Sequence, residues 1–150
     1  MISEFSRKWR VGLVAILLVL TACSEPGPNE AEIAASLHEL HDETLLGLVS
    51  HLENIVSSDA RRSAGGRIRV SMQYELVFDT DFADVIQIVA DPGSVSETER
   101  ARFSGYIGIL GTVELTGMTG RYGEFEKGQR FDVARDVDFA KIKGAWIAQP

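Results

Sequence analysis

A single cysteine, Cys23, among 150 residues excludes an internal disulfide and leaves the rest of the chain without a thiol nucleophile or thiolate ligand. Histidine is nearly as scarce, at three. No apolar run reaches membrane-spanning length. Val11 to Leu20 is uncharged, but it is half of the roughly 20 residues that a helix needs to cross the hydrocarbon core. Positive charge is in deficit, with a formal net charge of −7. Nucleic acid is therefore not an expected partner, because binding it takes an excess of Lys and Arg. Catalytic signatures are missing as well. There is no Gly-x-Ser-x-Gly elbow and no His-Glu-x-x-His zinc-protease pair. Asp79-Thr80-Asp81 lacks the spacing and the glycine of a calcium loop. Gly105, Gly108 and Gly111 recur every third residue, but they do not form a dinucleotide fingerprint and no basic residue follows to meet phosphate.

What is present begins with a basic stretch, Arg7, Lys8 and Arg10, followed by the apolar run. That order is the physical form of a secretory signal peptide. Ten helical residues rise only about 15 Å. The alternatives are a buried core helix or a short anchor that stays attached, and the flank argues against both. Leu20-Thr21-Ala22-Cys23 is followed at once by Ser24-Glu25-Pro26-Gly27-Pro28. This tetrapeptide resembles the bacterial lipobox at all four positions. The resemblance implies that residues 1–22 are a cleaved signal peptide, that Cys23 carries a thioether diacylglyceryl group, and that the new amino terminus is acylated. Each buried methylene contributes ~0.8 kcal/mol, and two or more chains make anchoring stable. Ser24, where some lipoproteins have Asp, implies an outer-membrane address facing the periplasm. Without the leader's net +2, the remainder stands at −9. Residues 23–30 read as the lipidated cysteine and a linker, and Ser24 to Asn29 reaches about 20 Å when extended.

The remaining segment, 31–150, is expected to be one small α+β domain, with a long first helix packed on an antiparallel sheet of about four to five strands. Ile33, Leu37, Leu40, Leu45, Leu48, Leu52 and Ile55 recur at helical spacing, so the pattern predicts one helix over 30–57 with Asn29 as N-cap. Gly47 would weaken its middle by ~1 kcal/mol relative to Ala. Residues 67–79 alternate apolar and polar, with Val77 the exception, and predict a half-buried strand. Between 80 and 104, Val85 to Val89 fits helix or strand equally, while Ser96 with Glu99 matches a capping box for a short helix over 97–103. Ile107, Ile109, Val113 and Leu115 share one parity and predict a strand over 105–116, with a turn-rich connection at 117–123. Phe131, Val133, Val137 and Phe139 predict another strand, in which Arg135 interrupts the apolar parity and suggests a bulge or an edge. Lys141 to Gly144 reads as a hairpin turn before Ala145-Trp146-Ile147. This last hairpin, with its Gly-x-Trp, resembles the end of cystatin-like and NTF2-like domains, in which a long first helix lies in a curved antiparallel sheet.

His38, His41 and His51 all fall on the predicted helix. His38 and His41 are adjacent on it, but no second cluster exists to complete the three or four ligands zinc needs. His41 falls inside the apolar stripe and His51 at its edge, so both read as partly buried structural residues, or as the lining of a pocket. Asp132, Asp136 and Asp138 share one parity and read as a solvated acidic face, and Arg61, Arg62, Arg67 and Arg69 as a salt-bridged surface. Trp146 reads as core. No catalytic residue, metal or cofactor is expected. The leading reading is a non-enzymatic envelope lipoprotein whose domain binds an envelope protein close to the membrane. A second is a small-ligand binder or enzyme with an NTF2-like cavity lined by His41 or His51. A third is a structural or exclusion role at the envelope.

Overall fold

A computed structural model describes residues 26–150, so the leader, the lipobox and Cys23 lie outside the described residues. Helix α1 (Glu30–Asp42) opens with a capping box in which Asn29 and Glu32 each accept the other's backbone N–H, both at 2.9 Å. Helix α2 (Leu45–Val49) follows, then strands β1 (Ser50–Arg62) and β2 (Ile68–Phe78). Helices α3 (Phe82–Ala90), α4 (Glu97–Arg102) and α5 (Ile109–Tyr122) come next, before strands β3 (Arg130–Ile142) and β4 (Ala145–Ala148). The architecture is α+β, and the four strands form one antiparallel sheet in the order β1-β2-β3-β4. Ile68, Val70, Met72, Leu76 and Phe78 of β2, Val137 and Phe139 of β3, and Trp146 and Ala148 of β4 are buried against the helices. The opposite face carries Arg69 in a bidentate pair with Asp138, and Asp136 accepting from Ser71. Ser36 of α1 is buried and accepts the backbone N–H of Ala148, fastening that helix to the last strand.

The predicted helix over 30–57 does not persist. It stops at Asp42, because Thr44 donates its hydroxyl to the His41 carbonyl at 2.7 Å and accepts the Gly47 N–H at 3.1 Å, closing one helix and starting the next. Two side chains brace this corner: Tyr106 donates to the Glu43 carbonyl at 2.6 Å and Arg102 to that of Leu48. From Ser50 onward the backbone pairs with β2, and His51 lies on a strand, not on a helix. The helical spacing of Leu52 and Ile55 has a local cause. Glu53 pairs with Glu75 and Val56 with Gln73, so Asn54 and Ile55 together face Tyr74 in a β-bulge. The extra residue turns a spacing of two into one of three.

The predicted strand over 105–116 is also corrected. The buried positions of α5 are Gly111 and Met118, with Leu115 and Tyr122 packed against the core, a helical repeat. Its first member has no side chain and is invisible to a hydropathy pattern. A Cβ on Gly111 would lie 1.7 Å from the Tyr106 carbonyl oxygen and 2.9 Å from Val89, so the backbone itself is the contact surface. The undecided stretch at 82–90 is helix α3, with Val85, Ile88 and Val89 inward. The capping box at Ser96 and Glu99 forms as expected and starts α4. The hairpin turn is made by Lys143 and Gly144, both at positive φ (51° and 90°), as a tight turn between β3 and β4 requires. Trp146 is core, with the Lys141 ammonium 5.7 Å from its ring centroid.

Candidate ligand cavity

The layers do not close completely. A cavity of about 660 Å³ lies between the α1–α2 corner, the middle of β2 and β3, and one face of α5. Leu37, Leu40, Leu46, Leu52 and Met118 give it an apolar wall. Tyr74, Tyr122, His41, Thr44, Glu114, Arg121 and Arg135 bring polar groups to it. Its size falls within the roughly 300–1,000 Å³ of small-molecule sites, and a mostly apolar wall with a few convergent polar groups is their usual make-up.

His41 is held at this wall. Its Nε2 lies 3.2 Å from both the carbonyl oxygen and the hydroxyl oxygen of Ser50. The Ser50 hydroxyl donates its own hydrogen to the Leu46 carbonyl at 2.6 Å, so towards His41 it can only accept. The proton of the neutral ring therefore sits on Nε2, and Nδ1 keeps a lone pair with no partner among the described residues. Burial pushes the His41 pKa below 6.5, against the upward pull of the Ser50 hydrogen bond and Asp42.

His51 behaves in the opposite way. It is exposed on the far face of the sheet, away from the cavity, with Nε2 3.0 Å from Glu53 and Nδ1 2.8 Å from Asp79. The hydrogen bond to Glu53, followed by that to Asp79, raises its pKa above 6.5. Glu53 also accepts from Arg130, which reaches Glu75 as well. Both ring nitrogens are engaged by carboxylates, which suits a charged imidazolium in a surface network. Of the two histidines expected to line a pocket, only His41 does so.

A histidine-resolved NMR titration should therefore give two midpoints on either side of 6.5: His51 above it, and His41 below it as the Nε2–H tautomer. The linkage signs differ too. The folded chain holds His41 with fewer protons than the unfolded chain, so its contribution to stability is full above pH 6.5 and declines as pH falls below that value. The His51 contribution is full below 6.5 and fades as pH rises through the folded value. Coincident midpoints would contradict both assignments.

Sequence reasoning offered a bulge or an edge at Arg135 and missed its place at the cavity. The pairing of β2 with β3 runs without a shift from Ile68–Phe139 to Val77–Arg130, so there is no bulge at Arg135. The edge reading holds, because β4 pairs with β3 only from Phe139 to Ile142. Arg135 keeps the inward parity, lines the cavity, and places its guanidinium 5.9 Å from the Tyr74 ring centroid. A charge on an apolar parity was the available signal. Arg121 and Glu114 carried none, since their segment reads as strand and turn. Among the described residues, no group of three or more His, Cys, Asp or Glu side chains could hold a metal ion, and His38 and His41 acquire no third ligand. The chain matches no protein-family model, and no curated protein or solved structure is significantly similar to it. The reading of this site accordingly rests on its geometry.

Proposed function

We propose that the protein is a cell-envelope lipoprotein, tethered through lipid on Cys23 after removal of residues 1–22, whose α+β domain holds a small molecule in the cavity beside His41. The observation that carries the ligand half is the cavity itself, about 660 Å³ with an apolar wall and convergent polar groups. The tether rests on the Leu20-Thr21-Ala22-Cys23 lipobox and the basic-apolar order before it. A binder fits best, since His41 spends Nε2 on Ser50 and its Nδ1 has no hydrogen-bond partner among the described residues.

Gly117 lines the cavity, and a Cβ there would meet only the flexible end of Arg121, at 3.9 Å. Gly117→Trp should therefore fill the space without unfolding the domain. Small molecules co-extracted with the native protein and identified by mass spectrometry are expected to vanish from this variant while its thermal midpoint is retained. An identical complement from both proteins would overturn the ligand reading. Cys23→Ser should move the protein out of the membrane fraction, and unchanged membrane association would overturn the tether. A second reading, docking of an envelope protein, is favoured by the first turns of α5 at the cavity rim, where Ile109 and Val113 are 86% and 63% exposed beside Leu110.

A further inference from the structure

The side chains that line the cavity include more cations than carboxylates, in a chain whose net charge is −7. Arg121 and Arg135 line the cavity against one side-chain carboxylate, that of Glu114, and Pro150 also borders it. Neither arginine makes a hydrogen bond or an ion pair with any described residue, and the contact of Arg135 is with the face of Tyr74. Elsewhere in the same fold, Arg69 and Arg130 take carboxylates at 2.6–2.9 Å, so acidic partners are plentiful where the chain uses them. Arg121 and Arg135 are both solvent-exposed, so their guanidinium groups stand at the mouth of the cavity. Arg135 stands on the inward parity of an unbroken ladder, opposite Met72, and is exposed at the cavity mouth. Arg121 lies on α5 near enough to Gly117 that its Nη2 would be 3.9 Å from a Cβ there, which keeps it along the cavity side of the helix. Below these groups, the wall formed by Leu37, Leu40, Leu46, Leu52 and Met118 offers nothing that a polar molecule could bond.

Resting on the ligand reading above, we infer that the occupant is an amphipathic anion: an apolar body against the leucine wall and a carboxylate-type or phosphate-type head on Arg121 and Arg135. An anion is the ligand these two guanidinium groups lack, since hydrogen bonds in which both partners are charged are the strong ones and bidentate geometry is natural to arginine. An apolar body is what the wall requires, because a small hydrated anion alone would leave it unfilled. The free lone pair on His41 Nδ1 adds an acceptor for a hydroxyl or amide on the same molecule.

The test uses the full-length lipidated protein in discs of zwitterionic lipid, with the side chains of His and Arg isotope-labelled, so that binding is read at the cavity and not as partition into lipid. Three probes are titrated: decanoate, decanol and acetate. Decanoate is expected to shift the His41 signals saturably and leave those of His51 unmoved. Decanol and acetate are each expected to bind about tenfold more weakly or worse. Arg121→Gln and Arg135→Gln should each weaken decanoate about tenfold, in line with the loss of a charged hydrogen bond. Arg69→Gln, on the opposite face, should leave it unchanged. Unchanged backbone spectra establish that the variants fold. Equal affinity for decanoate and decanol, unaffected by either cavity variant, would overturn the anionic head while leaving a binding cavity. Acetate binding as well as decanoate would overturn the apolar body. No shift at His41 with any probe would overturn the ligand reading itself.

Discussion

Phe78→Ala is expected to destabilise the folded chain by about 3–5 kcal/mol, the usual cost of emptying a large buried aromatic site. Phe78 closes β2 and is 1% exposed. Its ring stacks on Phe125 with centroids 3.7 Å apart and meets Tyr122 and Phe131 edge-on at 5.6 and 5.8 Å. Its backbone is tied as well, donating to the Gln129 carbonyl and accepting from Gly128 at 3.0 and 2.7 Å. Removing the ring would leave Phe125 without a stacking partner and Tyr122 without one of its two edge contacts. Collapse is hindered, since Phe125 is also held through its carbonyl by the Phe82 N–H at 2.9 Å. Tyr122 lines the cavity, so the loss would reach the site as well as the core. Urea unfolding should show a lower midpoint at unchanged slope. A loss of under about 1 kcal/mol would mean that the aromatic cluster is not the anchor described here.

Gly47→Ala is expected to cost about 3 kcal/mol, at the upper end of overpacking effects. The sign is opposite to that of helix propensity, which favours Ala by ~1 kcal/mol. A Cβ at Gly47 would fall 2.0 Å from the His41 carbonyl oxygen, 2.6 Å from its carbon and 2.7 Å from the Asp42 Cα. All three are backbone atoms, so no flexible side chain can yield, and α2 would have to move off α1. That movement separates His41 from Ser50 and opens the cavity wall. The matched control is Gly117→Ala, on α5, where only the end of Arg121 comes near. There propensity should prevail, raising stability by about 0.5–1 kcal/mol. Calorimetry on the pair checks both signs, and a stabilised Gly47→Ala would refute the α1–α2 corner.

The elements that were legible are those whose stabilising partners lie near in sequence. Asn29 with Glu32 and Ser96 with Glu99 mark helix starts because both halves of each capping box are three residues apart. Residues 68–76 alternate because β2 is paired on both sides, without interruption on its β3 edge. Misreadings arose where periodicity was produced by something other than the element. The bulge at Asn54 and Ile55 imitated a helical step, and Gly111 hid the buried face of α5. His41, expected inside the apolar stripe, is half-buried at the cavity wall, because α1 is a helix through that residue. His51 was not, because β1 turns it to the opposite, solvated face.

From residue order alone came the α+β class, the capped helix starts, the central strand, the final hairpin and the expectation of a lipid tether at Cys23. Each depends on spacing or on contiguous residues, which the chain carries before it folds. Tertiary structure alone decided that the chain is strand from Ser50 onward, since that follows from the pairing of Ser50–Arg62 with β2. It alone decided that residues 109–122 are helix. It also decided that Arg121 and Arg135, on the consecutive elements α5 and β3, face one cavity with His41 of the distant α1. Charges that meet only after a sheet and a helix have packed leave no local pattern, and their proximity is a property of the packing.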